Sequence, residues 1–165
     1  MEKKILVLGA GNILFTDEGV GVRVVEKMQS ECTVSSNVTL MDGGTLGTKL
    51  LDYFIHCDFL IIVDAVLGPG KPGSVYRLTG EDLRRSLAFK NSLHQTDLED
   101  TLLYCELIAK RPDTVVIGVE PADMETAGME LSPALNSAMR EIVNKTIKEI
   151  QACGGECNFK KEAVF

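Results

Sequence analysis

"KILVLGAGNILFTDEGVG" (residues 4–21) sets a short apolar run against a glycine-rich loop that carries two adjacent acids, Asp17 and Glu18. The run is too short for a membrane span, and the Gly-Ala-Gly-Asn that cuts it removes the pattern of a signal peptide. It reads as a first buried strand that empties into a loop and then a helix. Val20, Val24, Val25 and Met28 supply the apolar side of that helix, expected over about 18–30.

The same alternation continues along the chain. Strands are expected at 4–9, 38–42, 59–65, 73–78 and 114–119, with helices at about 18–30, 46–55, 80–87, 95–110 and 132–151. "FLIIVDA" (59–65) and "TVVIGV" (114–119) are apolar almost throughout, as central strands covered on both faces require. "GSVYRL" (73–78) alternates after "GPGKPG" and suits an edge or antiparallel strand. In the last helix Ser132 stands at the N-cap and Pro133 at the first helical position. The fold class is therefore α/β: a single-domain three-layer sandwich, with a mostly parallel twisted sheet of about five strands and helices on both faces. The domain is expected over 1–151, followed by a C-terminal tail at 152–165 without a readable element.

A net charge of −7 over 165 residues argues against nucleic acid or an anionic membrane as partner, because both require a basic face. The five cysteines are scattered and odd in number, which fits free thiols in a reducing cytoplasm. Cys153 and Cys157 in "CGGEC" are a weak metal pair beside a polar terminus.

In an open α/β sheet the binding crevice lies beyond the carboxyl ends of the strands. Asp42 ends "VTLMD", Asp64 ends "FLIIVD", and Asp17 and Glu18 follow the first strand, so acids from three segments meet on one rim. Each alone reads as a helix cap or a solvated loop acid; gathered together, they call for a cation. His94, one of two histidines, lies near a helix start, whereas His56 between a helix and a central strand reads as structural. Glu18, Asp64 and His94 offer two carboxylates and an imidazole. Three ligands with positions left open mark a reactive metal site, and this mixture suits nickel, zinc or iron. Spacing does not separate Asp17 from Glu18 as the ligand. On a helix they diverge by about 100°, so only one faces the metal.

A dinucleotide site is the competing reading. Gly9 and Gly11 follow a strand, but position 14 is leucine where a third small residue is needed, and the acids repel a pyrophosphate.

Five ordered blocks, "LVLGAGNILFTDEGVGVRVVE" (6–26), "LMDGGTLGTKLL" (40–51), "LIIVDAV" (60–66), "SLHQTDL" (92–98) and "VVIGVEP" (115–121), resemble the hydrogenase maturation endopeptidases. These are nickel-dependent proteases that process the large subunit of nickel–iron hydrogenases, and the resemblance runs to about residue 150. It implies metal ligands at Glu18, Asp64 and His94, and a catalytic or substrate-placing role for Asp42. The implied reaction removes a short C-terminal extension from the nickel-loaded large-subunit precursor, the nickel arriving with the substrate. Asp42 or Asp17 is the expected base. A nucleotide-binding module and a non-catalytic, nickel-dependent maturation chaperone are the alternatives.

Overall fold

The computed structural model describes residues 2–44, 50–83 and 93–161, without the side chains of 44 and 93–99. Strand β1 (Ile5–Ala10) leads through a 3-10 turn (Thr16–Gly19) to α1 (Val20–Glu31), β2 (Cys32–Val34) and β3 (Val38–Gly44). Then come α2 (Leu51–Ile55), β4 (Phe59–Ala65), β5 (Val75–Leu78) and α3 (Leu93–Leu107). Strand β6 (Asp113–Val119), α4 (Pro133–Ala152) and β7 (Cys157–Phe159) complete the chain.

The main sheet has the order β3-β1-β4-β6-β5. Its first four strands are parallel, and β5 runs antiparallel to β6 at one edge. The antiparallel edge expected from the alternation at 73–78 is thus present.

Alternation along each strand divides the core into two layers. Ile5, Val7, Ile61, Val63, Val115 and Ile117 pack against α1 and α4, which contribute Val24, Val25, Met28, Ile142, Val143 and Ile150. Leu6, Leu8, Leu60, Ile62 and Val116 face the other way, onto Phe54 of α2 and Leu102 and Cys105 of α3. Burial on both faces explains why the central strands read as unbroken apolar runs. Each such side chain contributes about 1.5–3 kcal/mol by leaving water.

Several boundaries differ from the sequence reading. The helix expected from 18 begins as the 3-10 turn and becomes α-helical only at Val20. Helix α3 stops at Leu107 rather than 110, because Ala109 adopts a left-handed φ of 55° and Lys110 N–H turns back to the Cys105 carbonyl at 2.8 Å. Ser132 holds the N-cap position of α4, but its side chain makes no cap hydrogen bond. Of the helices expected at 46–55 and 80–87, residues 46–49 and 84–87 lie outside the described residues.

The segment expected to be a tail carries β7, which pairs antiparallel with β2 and places Cys157 opposite Val34. Strands of three residues are too short to show a period, and β2 follows α1 without a turn signal. Cys32 and Cys157 are buried, and their thiols are hydrogen-bonded to each other. No described helix is long and apolar enough to cross a membrane.

Candidate active site at the carboxyl edge of the sheet

From β1 the chain moves outward to β3, then returns to the opposite side of β1 to lay down β4. The carboxyl ends of β1 and β4 therefore flank the point where strand order reverses, the usual crevice of such sheets. Two glycines shape it. Gly11 has φ of +124°, and a Cβ there would strike the Glu18 carbonyl, so only glycine lets the 3-10 turn fold down on β1. Gly21 lets the first turn of α1 lie against the Val63 carbonyl at the end of β4. The turn bearing Glu18 packs on that strand end in turn.

The adjacent acids separate sharply. Asp17 is fully buried. Its Oδ2 accepts the N–H of Ala122 at 2.9 Å and of Asp123 at 3.0 Å, and its Oδ1 that of Ser132 at 2.8 Å. It ties the loop after β6 to the loop after β1. Glu18 is half-buried beside it on the same turn.

Asp64 is the one polar residue in "FLIIVDA". It is 1% exposed, and its Oδ1 accepts the N–H of Ala65 at 2.8 Å. By alternation it shares the face of Leu60 and Ile62, toward α2 and α3. His94 is the second residue of α3, on that same layer; its side chain lies outside the described residues.

Asp42 is exposed on β3, in register with Gly9. Gly9 is also in register with Val63, so Asp42 shares the face of Val63, opposite to that of Asp64. Two strand spacings put it about 10 Å from β4. The structure thus brings the turn of Glu18 to the strand end of Asp64, and leaves Asp42 across the crevice. Among the described residues no three His, Cys, Asp or Glu side chains stand together as a metal group.

Glu120, to which the sequence reading gives no role, ends β6 as a nearly buried carboxylate. Its Oε2 accepts the N–H of Gly68 at 2.6 Å and the Tyr76 hydroxyl at 3.1 Å, fixing the loop after β4 to β5 and β6. Burial, reinforced by this carboxylate, pushes the Tyr76 phenol up. The signal was an acid closing a buried strand, as at Asp42 and Asp64.

All five cysteines are free thiols. Burial raises each of them, with Cys57 and Cys157 pushed up to about 12. A thiol held protonated is a poor nucleophile.

Comparison with known proteins adds the deciding observation. The family model HycI, described as hydrogenase maturation protease, matches residues 22–149. The chain belongs to the hydrogenase maturation protease family. It is a hydrolase of α/β architecture, as the five sequence blocks implied. The chain is 36% identical over 156 residues to the hydrogenase expression/formation protein HupD of Rhodobacter capsulatus, covering 93% of this chain and 74% of that one. It is 32% identical over 163 residues to the hydrogenase 2 maturation protease of Escherichia coli strain K12, covering 98% of each. The solved hydrogenase maturating endopeptidase HybD from E. coli superposes on this maturation protease with a TM-score of 0.90 at 32% identity. That superposition covers 96% of this chain and 99% of the other.

Proposed function

We propose that this maturation protease removes a short C-terminal extension from the nickel-loaded precursor of a nickel–iron hydrogenase large subunit. The observation that supports the reading is that the turn bearing Glu18 packs on β4, the strand that carries Asp64, at the strand-order reversal. Two carboxylates from separate segments are held there by glycine-shaped backbone. They are oxygen donors for a borderline divalent ion, and His94, on the layer that Asp64 faces, adds the imidazole. Nickel arrives as part of the substrate. Engaged by Glu18, Asp64 and His94, it sets the scissile peptide at the rim and polarises its carbonyl or acidifies a water.

Asp42 is the base in this account, because it is exposed and stands across the crevice. Asp17 is assigned to positioning: its carboxylate has no exposure and both oxygens are engaged by backbone N–H groups. Leu14 and Phe15 precede Glu18, and Met129 follows Gly128, which bridges to Phe15. All three are exposed large apolar side chains, suited to being covered by a protein substrate. The work of such an enzyme, on a folded protein in the compartment where the precursor is made, places it in the cytoplasm.

The test is to mix the protein with precursor in nickel-loaded and nickel-free forms and follow the C-terminal peptide by mass spectrometry. Release from the loaded form alone is expected. Equal release from both would remove nickel from the account. Nickel-dependent association without release would favour a chaperone, and saturable NAD or flavin fluorescence a nucleotide module.

A further inference from the structure

Strand β3 is one edge of the main sheet, and it ends at Asp42 and two glycines beside the crevice. It has seven residues, whereas β5 at the opposite edge has four. Short edges resist pairing with another chain, and long ones invite it. The Asn37 carbonyl accepts the Ile5 N–H at 2.9 Å, which sets the phase of the parallel ladder between β1 and β3. Thr39 and Met41 therefore turn their N–H and C=O groups toward β1, while Leu40 and Asp42 turn theirs outward. The Gln29 amide of α1 donates to the Leu40 carbonyl at 3.1 Å, an independent sign that this carbonyl points away from β1. The Leu40 N–H and both backbone groups of Asp42 have no partner among the described residues.

We propose that the extension cut from the precursor binds as an added strand along the outer edge of β3. The inference rests on the function proposed above. An endopeptidase takes its scissile segment extended, and a strand laid on β3 reaches the exposed Asp42 without a turn. Its direction follows from the placement of the substrate. The body of the precursor, with its nickel, sits at the carboxyl edge, and the extension leads away toward its own C-terminus. It therefore runs antiparallel to β3, from Asp42 back to Val38, over about 13 Å. The outward groups of Asp42 pair with one residue of the extension, and those of Leu40 with the residue two positions later. A carbonyl oxygen has a second lone pair, so the Gln29 amide need not leave Leu40.

Two measurements on release of the C-terminal peptide from nickel-loaded precursor test this. A synthetic peptide with the sequence of the extension should compete with the precursor for the wild-type enzyme. N-methylation of its amides at alternate residues should abolish competition in one phase and leave it in the other, because only every second N–H faces β3. Leu40→Pro removes an outward N–H and keeps the ladder to β1, so the variant should fold by circular dichroism. It should raise KM at least about tenfold, with kcat within about twofold. Should that variant not fold, the peptide series decides.

Three results with an active wild type overturn the inference and leave the proposed function standing. They are no competition from the unmethylated peptide, equal competition from both methylated phases, and a folded Leu40→Pro with unchanged KM. No release by the wild type overturns the proposed function, and this inference with it.

Discussion

The two ends of the parallel sheet are built from the same strands and differ in what their loops carry. The amino edge holds a cavity of about 510 Å³ lined by Lys4, Asn37, Asp52, Tyr53, His56 and Cys57 among others. Two of its titratable residues pair with each other, and a third is a half-buried thiol. The His56 ring pairs with the Asp52 carbonyl at 2.6 Å, and burial keeps the Cys57 thiol protonated. The carboxyl edge instead carries acids from three segments, Glu18 on the turn after β1, Asp64 near the end of β4 and Glu120 just after β6. The proposed chemistry is seated at the carboxyl edge because its acids flank the strand-order reversal, where such sheets bind their ligands.

Cleavage rates of the nickel-loaded precursor would break that comparison most severely. Asp64→Asn or Glu18→Ala should lower the rate at least about a hundredfold, as expected when a metal worth several kcal/mol of barrier loses a ligand. His56→Ala, at the amino edge, should stay within about twofold. Equal losses at both edges would erase the distinction.

A smaller effect sharpens the division within the carboxyl edge itself. Asp17→Asn leaves the fully buried Asp17 position an acceptor short against three part-buried N–H groups and should cost about 3 kcal/mol. For a chain of this size, calorimetry should show a melting temperature lower by roughly 6–12 °C. An unchanged melting temperature would mean that Asp17 does not hold the loop.

The smallest effect concerns pH. The Thr126 hydroxyl and the N–H groups of Thr126 and Glu125 hold the Asp123 carboxyl below its ordinary 3.8. Its native value is thus depressed, so the unfolded chain takes up the proton first as pH falls. The local stabilisation is complete above about pH 4 and lost as pH drops through the native value. Hydrogen exchange at 123–126, corrected for intrinsic rate, should quicken in acid, and Asp123→Asn should abolish that dependence.

Much of this was legible in the sequence. The central strands β4 and β6 stand out because double burial makes them apolar almost without interruption, and Asp64 stands out as the polar exception in such a run. The relation of Asp17 to Glu18 was not legible. In a 3-10 turn neighbours diverge by about 120° rather than 100°. What selects the inward one is a set of partners more than 100 residues away, Ala122, Asp123 and Ser132, which leave no local trace. The β2–β7 pair escaped for a related reason: its strands are too short to show a period, and their pairing spans almost the whole chain.

The central claim is that the carboxyl edge touches the nickel of the substrate. The direct measurement is the nickel K-edge absorption spectrum of loaded precursor, alone and with one equivalent of the protein. The account predicts added oxygen or nitrogen neighbours in the complex, lost with Glu18→Ala or Asp64→Asn while binding persists. A nickel environment unchanged by the protein would contradict it.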